Sequence, residues 1–130
     1  MEYRVFIIHT RRDNDLAEDL ARRLKEAGAT VFSLEKSAVS GETVITKVSR
    51  GLRAADEVII ILTNTSVNSP GVISQTGAAF SLRKRVTPLV VGIEGSELPP
   101  FIGKHVRYAD LYKYLTDLAR RTKSPRRHVA

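Results

Sequence analysis

Polar and charged side chains cluster in three segments of this 130-residue sequence, each directly after a run of apolar residues. The segments read HTRRDND from residue 9, EKSAVSGE from residue 35 and TNTSVNSPG from residue 63. If the apolar runs are parallel strands, the segments meet at the carboxyl edge of one sheet, where open α/β sheets bind ligands. The side chains at or just after these segments that could do chemistry are His9, Thr10, Arg11, Arg12, Asp13, Glu35, Asn64, Ser66, Asn68, Ser69 and Gln75.

Several functions common to such sheets do not fit these residues. A phospho-acceptor domain needs an acidic pair after the first strand and a carboxylate after the third, where His9–Thr10 and Thr63–Asn64 stand instead. Neither a GxGxxG motif nor a Walker loop is present, and HTRRDND has no glycine with which to cradle phosphate. The three histidines lie on separate segments without ligand spacing, so we expect no metal site.

Some of these side chains admit two interpretations. His9, at the end of a buried strand, is either a structural edge residue or a ligand contact. Arg11 and Arg12 are either surface charges or a means of attracting phosphate or an acidic partner. Glu35 is expected in a loop.

The hydrophobic pattern predicts the elements that carry these segments. Short apolar runs predict strands near residues 3–9, 30–34, 57–62, 86–93 and 105–109, and periodic leucines, valines and alanines predict helices between them. Ser69 and Pro70 have the residue types of a helix start, and Gly28 has that of a helix end. This alternation indicates a flavodoxin-like, three-layer α/β fold: a five-stranded parallel sheet of order 2-1-3-4-5 with helices on both faces.

Charge and composition predict one domain and a basic tail. The net charge is +7, but residues 120–130 hold five Lys or Arg and no acid, so residues 1–119 carry only +2. We therefore expect a domain over 1–119, followed by a solvated tail or linker remnant. The tail has no aromatic residue for base stacking, so a nucleic-acid partner is not expected. The lack of cysteine, signal-peptide pattern and membrane-length apolar run suggests a cytoplasmic protein.

Two long stretches resemble the Toll/interleukin receptor (TIR) domain family, its bacterial branch in particular. Residues 3–44 are similar to the family's opening strand, acidic helix ending in Ala-Gly, Val-Phe strand and following turn. Residues 66–102 are similar to its third helix, fourth strand and next loop. The order and spacing of these motifs extend the resemblance over residues 3–119.

The resemblance implies two activities. Some TIR domains hydrolyse or cyclise NAD at the bond between nicotinamide and ribose, and others assemble with further TIR domains through the turn after strand two. It implies NAD as ligand or substrate, no other cofactor, and other TIR domains, including copies of this chain, as partners. Expected ligand contacts are His9, Thr10, Arg11, Glu35, Asn64, Ser66, Ser69 and Gly71. The expected interaction turn contains Ser37, Val39, Ser40, Gly41 and Glu42.

The sequence departs from the family pattern at the position that matters most for catalysis. Alignment of SPGVISQTGAA with the family pattern places Gln75 where the catalytic glutamate stands, and Gly71 where a tryptophan is usual. Breaking the ribosyl bond builds positive charge on the sugar, which a carboxylate stabilises. At about 4 Å this attraction is about 4 kcal/mol, or roughly a thousandfold in rate. Glutamine keeps the shape but has neither the charge nor the basicity.

We therefore expect a signalling and assembly module in which NAD hydrolysis is absent or strongly reduced. Gln75 is either a natural divergence, which Gly71 favours, or a deliberate Glu-to-Gln change. The alternative is a TIR-type NAD glycohydrolase or cyclase of bacterial defence or virulence, with Glu35 as a substitute acid. A nucleoside deoxyribosyltransferase is a weaker third reading, because it also requires a carboxylate in the crevice.

Overall fold

The computed structural model describes residues 2–33 and 44–123, with nine helices and strands in strict alternation up to the fourth strand. The strands are β1 Arg4–Ile8, β2 Thr30–Ser33, β3 Glu57–Leu62, β4 Arg85–Val90 and β5 Val106–Arg107. The helices are α1 Asn14–Glu26, α2 Val44–Ala54, α3 Pro70–Ser81 and α4 Leu111–Lys123. Short 3-10 turns lie at Arg11–Asp13, Gly95–Glu97 and Tyr108–Asp110.

All five strands are parallel and lie in the order β2-β1-β3-β4-β5, which confirms the predicted sheet. Strand β3 lies at the centre, and each of its six residues is buried. Its register pairs Glu57 with Val5 on one side and with Arg85 on the other. The apolar, β-branched run of β3 is the pattern of a strand covered on both faces.

Two hydrophobic cores cover the two faces of this sheet. Alternate residues of β1 and β3, including Ile7 and Ile59, pack with leucines of α1 and α4. The intervening residues, including Phe6 and Ile60, pack with side chains of α2 and α3. Because successive side chains of a strand point to opposite faces, strands β1 to β4 each contribute to both cores.

Local sequence signals account for the ends of two helices. The side-chain oxygen of Ser69 accepts a hydrogen bond from the amide of Val72 at 3.3 Å, so Ser69 caps α3 as predicted. Gly28 follows α1 with a φ of +103°, a conformation that favours glycine. A side chain at residue 28 would also meet the hydroxyl oxygen of Thr122 at 2.8 Å, where the ends of α1 and α4 approach each other.

The carboxyl-terminal part differs in extent from the prediction. Strand β5 is only two residues long, Val106–Arg107, and pairs with Leu89 and Val90 of β4 at the edge of the sheet. Helix α4 continues to Lys123, past the predicted domain boundary at residue 119. Arg121 belongs to the fold because it pairs with a buried glutamate, as described below. No helix in residues 2–33 or 44–123 is long and apolar enough to cross a membrane.

Candidate functional site

The carboxylate of Asp13 ties the loop after β1 to the loop after β3. Its Oδ2 atom accepts hydrogen bonds from the Thr10 hydroxyl at 3.0 Å and from the Thr63 hydroxyl at 2.9 Å. Asp13 stands at the cap position of α1, but its side chain makes no capping bond. The predicted meeting of these two loops at the carboxyl edge is therefore observed, with a carboxylate between them.

Ser66 organises the loop after β3 from a fully buried position. Its hydroxyl donates to the carbonyl of Ile61 at 2.9 Å, and its oxygen accepts from the Thr63 amide at 2.8 Å. Because both hydrogen-bonding capacities are used within the protein, Ser66 shapes the loop. Neighbouring Asn64 is exposed and projects from the same loop.

His9 lies on the α1 side of the sheet. It is half-buried, and its Nδ1 lies 2.8 Å from the carbonyl oxygen of Thr10. It lines a small pocket together with Asn14 of α1 and with Phe32 and Ser33 of β2. Both interpretations of His9 remain compatible with this placement, because the ring touches a pocket and also bonds its own loop.

Gln75 lies on the other side of the sheet, in an open groove between α2 and α3. It is half-buried, and Gly71 lines the same groove one turn earlier. From α2 the groove is lined by Val48, Ser49, Leu52 and Arg53, and from α3 and the residue after it by Gly71, Ser74, Gln75, Ala78, Ser81 and Leu82. None of these lining residues, which come from the described part of the chain, is a carboxylate.

The predicted ligand contacts therefore fall into separate groups. Gly71 and Gln75 share one groove, and His9 lines a pocket across the sheet. Thr10 is engaged with Asp13, whereas Arg11 is exposed. Glu35 and the predicted interaction turn of Ser37, Val39, Ser40, Gly41 and Glu42 lie outside the described residues. Within the described residues, no cluster of His, Asp or Glu is placed to hold a metal ion.

Comparison with protein-family models shows which family the chain belongs to. The model of the TIR domain family matches residues 5–123, from the second residue of β1 to the last residue of α4. The chain belongs to the TIR domain family. The match ends at Lys123, where α4 ends.

Solved structures share the architecture of this TIR domain at low sequence identity. One is the TIR domain of the Toll-related receptor TRR-2 from Hydra magnipapillata, at TM-score 0.74 and 14% identity, covering 89% of this chain and 97% of that one. A prokaryotic SEFIR domain matches at TM-score 0.68 and 22% identity, covering 96% and 95%. The TIR domains of the activated Roq1 resistosome, which recognises the effector XopQ, match at 0.67 and 15%, covering 89% and 72%. No curated protein sequence matches significantly.

A buried ionic cluster in this TIR domain lies at the opposite, amino-terminal edge of the sheet. Glu57, the first residue of β3, is completely buried. One carboxylate oxygen accepts from the Tyr3 hydroxyl at 2.6 Å and from the Arg121 guanidinium at 3.0 Å. The other accepts from the Thr87 hydroxyl at 2.8 Å and from the Tyr114 hydroxyl.

The environment of this cluster shifts the pKa values of its phenols. Burial, reinforced by the charge of Glu57, raises the pKa of Tyr3 to about 12 and that of Tyr114 further. The guanidinium of Arg121 lies 5.9 Å from the centre of the Tyr3 ring and 5.8 Å from that of Tyr114. Because every oxygen of Glu57 is bonded within the protein, the cluster is a structural element that fastens α4 to the sheet.

Sequence reasoning missed the role of Glu57. The sequence signal is an acid immediately before a run of five apolar residues, in register with the start of a buried strand. An acid that enters the sheet needs a partner, since an unpaired buried charge is costly. The sequence does not show which of the many basic residues supplies the cation that pairs with Glu57.

Proposed function

We propose that this TIR domain is a signalling and assembly module whose α2/α3 groove does not catalyse NAD hydrolysis. The observation that carries the proposal is Gln75, half-buried in that groove beside Gly71, with no carboxylate among the described lining residues. The only charged side chain among them is Arg53 of α2. A cation there opposes the positive charge that develops on the ribose as its bond to nicotinamide breaks.

The groove has polar groups that could bind a polar ligand without catalysing a reaction. The amide of Gln75 both donates and accepts hydrogen bonds, so it is able to hold ribose hydroxyl groups. Ser49 and Ser74 add hydroxyls on the two sides of the groove. The proposal is therefore that this groove binds a nucleotide but does not hydrolyse it.

Incubation of the purified protein with NAD, followed by measurement of free nicotinamide, tests the catalytic part. We expect release at the background rate. In Gln75→Glu the added carboxylate should raise release, by up to roughly a thousandfold if it reaches the ribose. Ser74→Glu is the matched control, because it adds the same charge to the same groove one residue away.

Two outcomes contradict this part of the proposal. Release well above background by the unchanged protein, abolished in Gln75→Ala, would make Gln75 part of a working site. Release that is lost in Glu35→Gln instead would support the glycohydrolase alternative, with Glu35 as the substitute acid.

The assembly part concerns the predicted interaction turn, which follows β2 in the sequence. We propose that Ser37, Val39, Ser40, Gly41 and Glu42 contact another TIR domain. Membership of the family and similarity to TIR domains of an activated resistosome support an assembly role. Light scattering over a range of protein concentrations tests it. A protein that stays monomeric at high concentration, and is indifferent to substitutions in this turn, would contradict it.

A further inference from the structure

An open pocket lies at the edge of the sheet where β4, β5 and α4 meet. Its volume is about 370 Å³, which is within the range of small-molecule sites in proteins. Its lining comes from the first part of β4, from β5 and the two residues before it, and from α4. None of these residues lines the α2/α3 groove, so the pocket is a separate candidate site.

The pocket brings basic side chains together. Arg85, Lys104 and His105 all line it, and none of its lining residues is an acid. Lys104 and His105 are exposed, and the side chain of Arg85 is 59% exposed. A cleft lined by charges of one sign concentrates ligands of the opposite sign. The charge of this lining therefore points to an anion as the ligand.

The buried carboxylate of Glu57 offsets little of this charge. It lies 3.7 Å from the guanidinium of Arg85, but the guanidinium of Arg121 is closer to it, at 3.0 Å. No ion pair between the described residues involves Lys104. If Glu57 and Arg121 balance each other, Arg85 and Lys104 each keep one uncompensated positive charge, which a divalent anion would balance.

The other walls of the pocket suit an organic group. Val86 and Pro88 of β4 and Val106 of β5 are apolar. Tyr114 of α4 also lines the pocket, and its hydroxyl donates to Glu57, so its ring is the part left for a ligand. Apolar walls with a few polar groups are typical of small-molecule sites. An inorganic ion alone would leave these walls without contacts.

The short strand β5 leaves space for this pocket. Only Leu89 and Val90 of β4 pair with β5, so residues 85–88 have no described strand beside them on this side. These four residues line the pocket instead. A longer β5 in the same register would cover them and fill the site.

We propose that this pocket binds a small organic phosphate ester. Arg85 and Lys104 hold the phosphate, and the organic group lies against Val86, Pro88 and Val106. A phosphate ester carries about −1.5 to −2 charges at neutral pH, which matches the two uncompensated cations better than a single carboxylate does. The guanidinium of arginine forms paired hydrogen bonds with phosphate oxygens. This site does not depend on the function proposed for the α2/α3 groove.

NMR titration of the isotope-labelled protein with phenyl phosphate tests the site. We expect saturable shifts of the amide resonances of residues 85–87 and 104–106. In Lys104→Gln the affinity should fall about tenfold, because a charged contact with phosphate is lost. Lys113→Gln is the matched control, because it removes the same charge from an exposed position of α4 outside the pocket. Shifts that are absent or lie elsewhere, or equal weakening in both variants, would overturn the inference.

Three further probes test the class of ligand. Inorganic phosphate and phenol each carry one part of phenyl phosphate, and we expect each to bind about tenfold more weakly. Equal affinity for inorganic phosphate would overturn the organic group, and equal affinity for phenol would overturn the phosphate. A phosphotyrosyl peptide that binds more tightly than phenyl phosphate would assign the pocket to a phosphorylated protein and overturn the small-molecule ligand.

Discussion

Asp13 shows how one side chain serves two loops. Its carboxylate accepts hydrogen bonds from the hydroxyls of Thr10 and Thr63, which follow β1 and β3. Hydrogen bonds to a charged group contribute about 1.5–3 kcal/mol each, reduced here because Asp13 is only half-buried. We expect Asp13→Ala to lower the free energy of unfolding by about 2 kcal/mol in urea titrations. Asp15→Ala, on the exposed side of the same helix, should change it little, and equal losses would show that only the helix start matters.

Substitution of alanine for glycine is expected to have opposite effects on stability at two helical positions, Gly51 and Gly77. A Cβ atom at Gly51 of α2 would lie 2.6 Å from Cε1 of Phe6, a ring that is itself buried. We expect Gly51→Ala to lower the free energy of unfolding by about 1–3 kcal/mol through overpacking. Gly77→Ala meets open space, so the higher helix propensity of alanine should add about 0.5–1 kcal/mol. Calorimetry at low protein concentration measures both, and a stabilised Gly51→Ala would contradict the close packing.

The residue-level predictions from sequence succeeded where the cause is local. Ser69 caps α3 because the bond spans three residues, and the chemistry of a helix start is written in adjacent positions. Asp13 was predicted among the polar side chains at the carboxyl edge, but its bond to Thr63 was not, because Thr63 lies 50 residues away and no local pattern connects them. The separation of His9 from Gln75 was also hidden, because it depends on which face of the sheet each side chain takes.

At the scale of elements, an ion pair between Arg121 and buried Glu57 contributes to the attachment of α4 to the sheet. Arg121 lies 3.0 Å from buried Glu57, and Arg85 lies 3.7 Å from it with its side chain 59% exposed. Removing one partner of a buried pair leaves a costly unpaired charge. We expect Arg121→Ala to lower the free energy of unfolding by about 3 kcal/mol in urea.

Arg120→Ala is the control for this experiment. Arg120 is adjacent in α4, but its side chain is 77% exposed and pairs only at the surface with Asp117. Such surface pairs contribute about 0–1 kcal/mol. If the two variants are equally destabilised, α4 is held by its apolar face and not by the pair with Glu57.

The order of the strands and helices could be predicted from the sequence, whereas the side-chain contacts between them could not. The alternation of apolar strands and amphipathic helices predicts parallel crossovers, and the observed order confirms it. The predicted tail begins at Arg120 because Arg120, Arg121 and Lys123 have the composition of a solvated segment. Arg121 differs from its neighbours only through Glu57, which is 64 residues distant.

At the scale of the whole molecule, the two buried phenols make stability depend on pH in the alkaline range. The pKa of Tyr3 is raised to about 12 in the folded protein, and that of Tyr114 is raised further. The unfolded chain releases these protons near pH 10. A group with a raised folded pKa stabilises fully below its unfolded pKa and loses that contribution as pH rises, so stability should fall from about pH 10 towards pH 12 and beyond.

Urea titrations at pH 8 and pH 11 measure this loss, which we expect to be about 2 kcal/mol at pH 11. In the double variant Tyr3→Phe, Tyr114→Phe, the drop between the two pH values should shrink by most of that amount. Tyr112→Phe is the control, because Tyr112 is 84% exposed. A drop of the same size in the double variant would place its origin in groups other than these two phenols.

The position of the Glu57 cluster has a consequence for how this domain tolerates change. The ionic and phenolic contacts that fasten α4 sit at one rim of the sheet, whereas Gln75 and Gly71 line an open groove formed by α2 and α3. Exchanging an amide for a carboxylate at residue 75 leaves those fastening contacts untouched. A substitution at residue 75 therefore probes the proposed loss of catalysis without altering the contacts that hold α4 against the sheet.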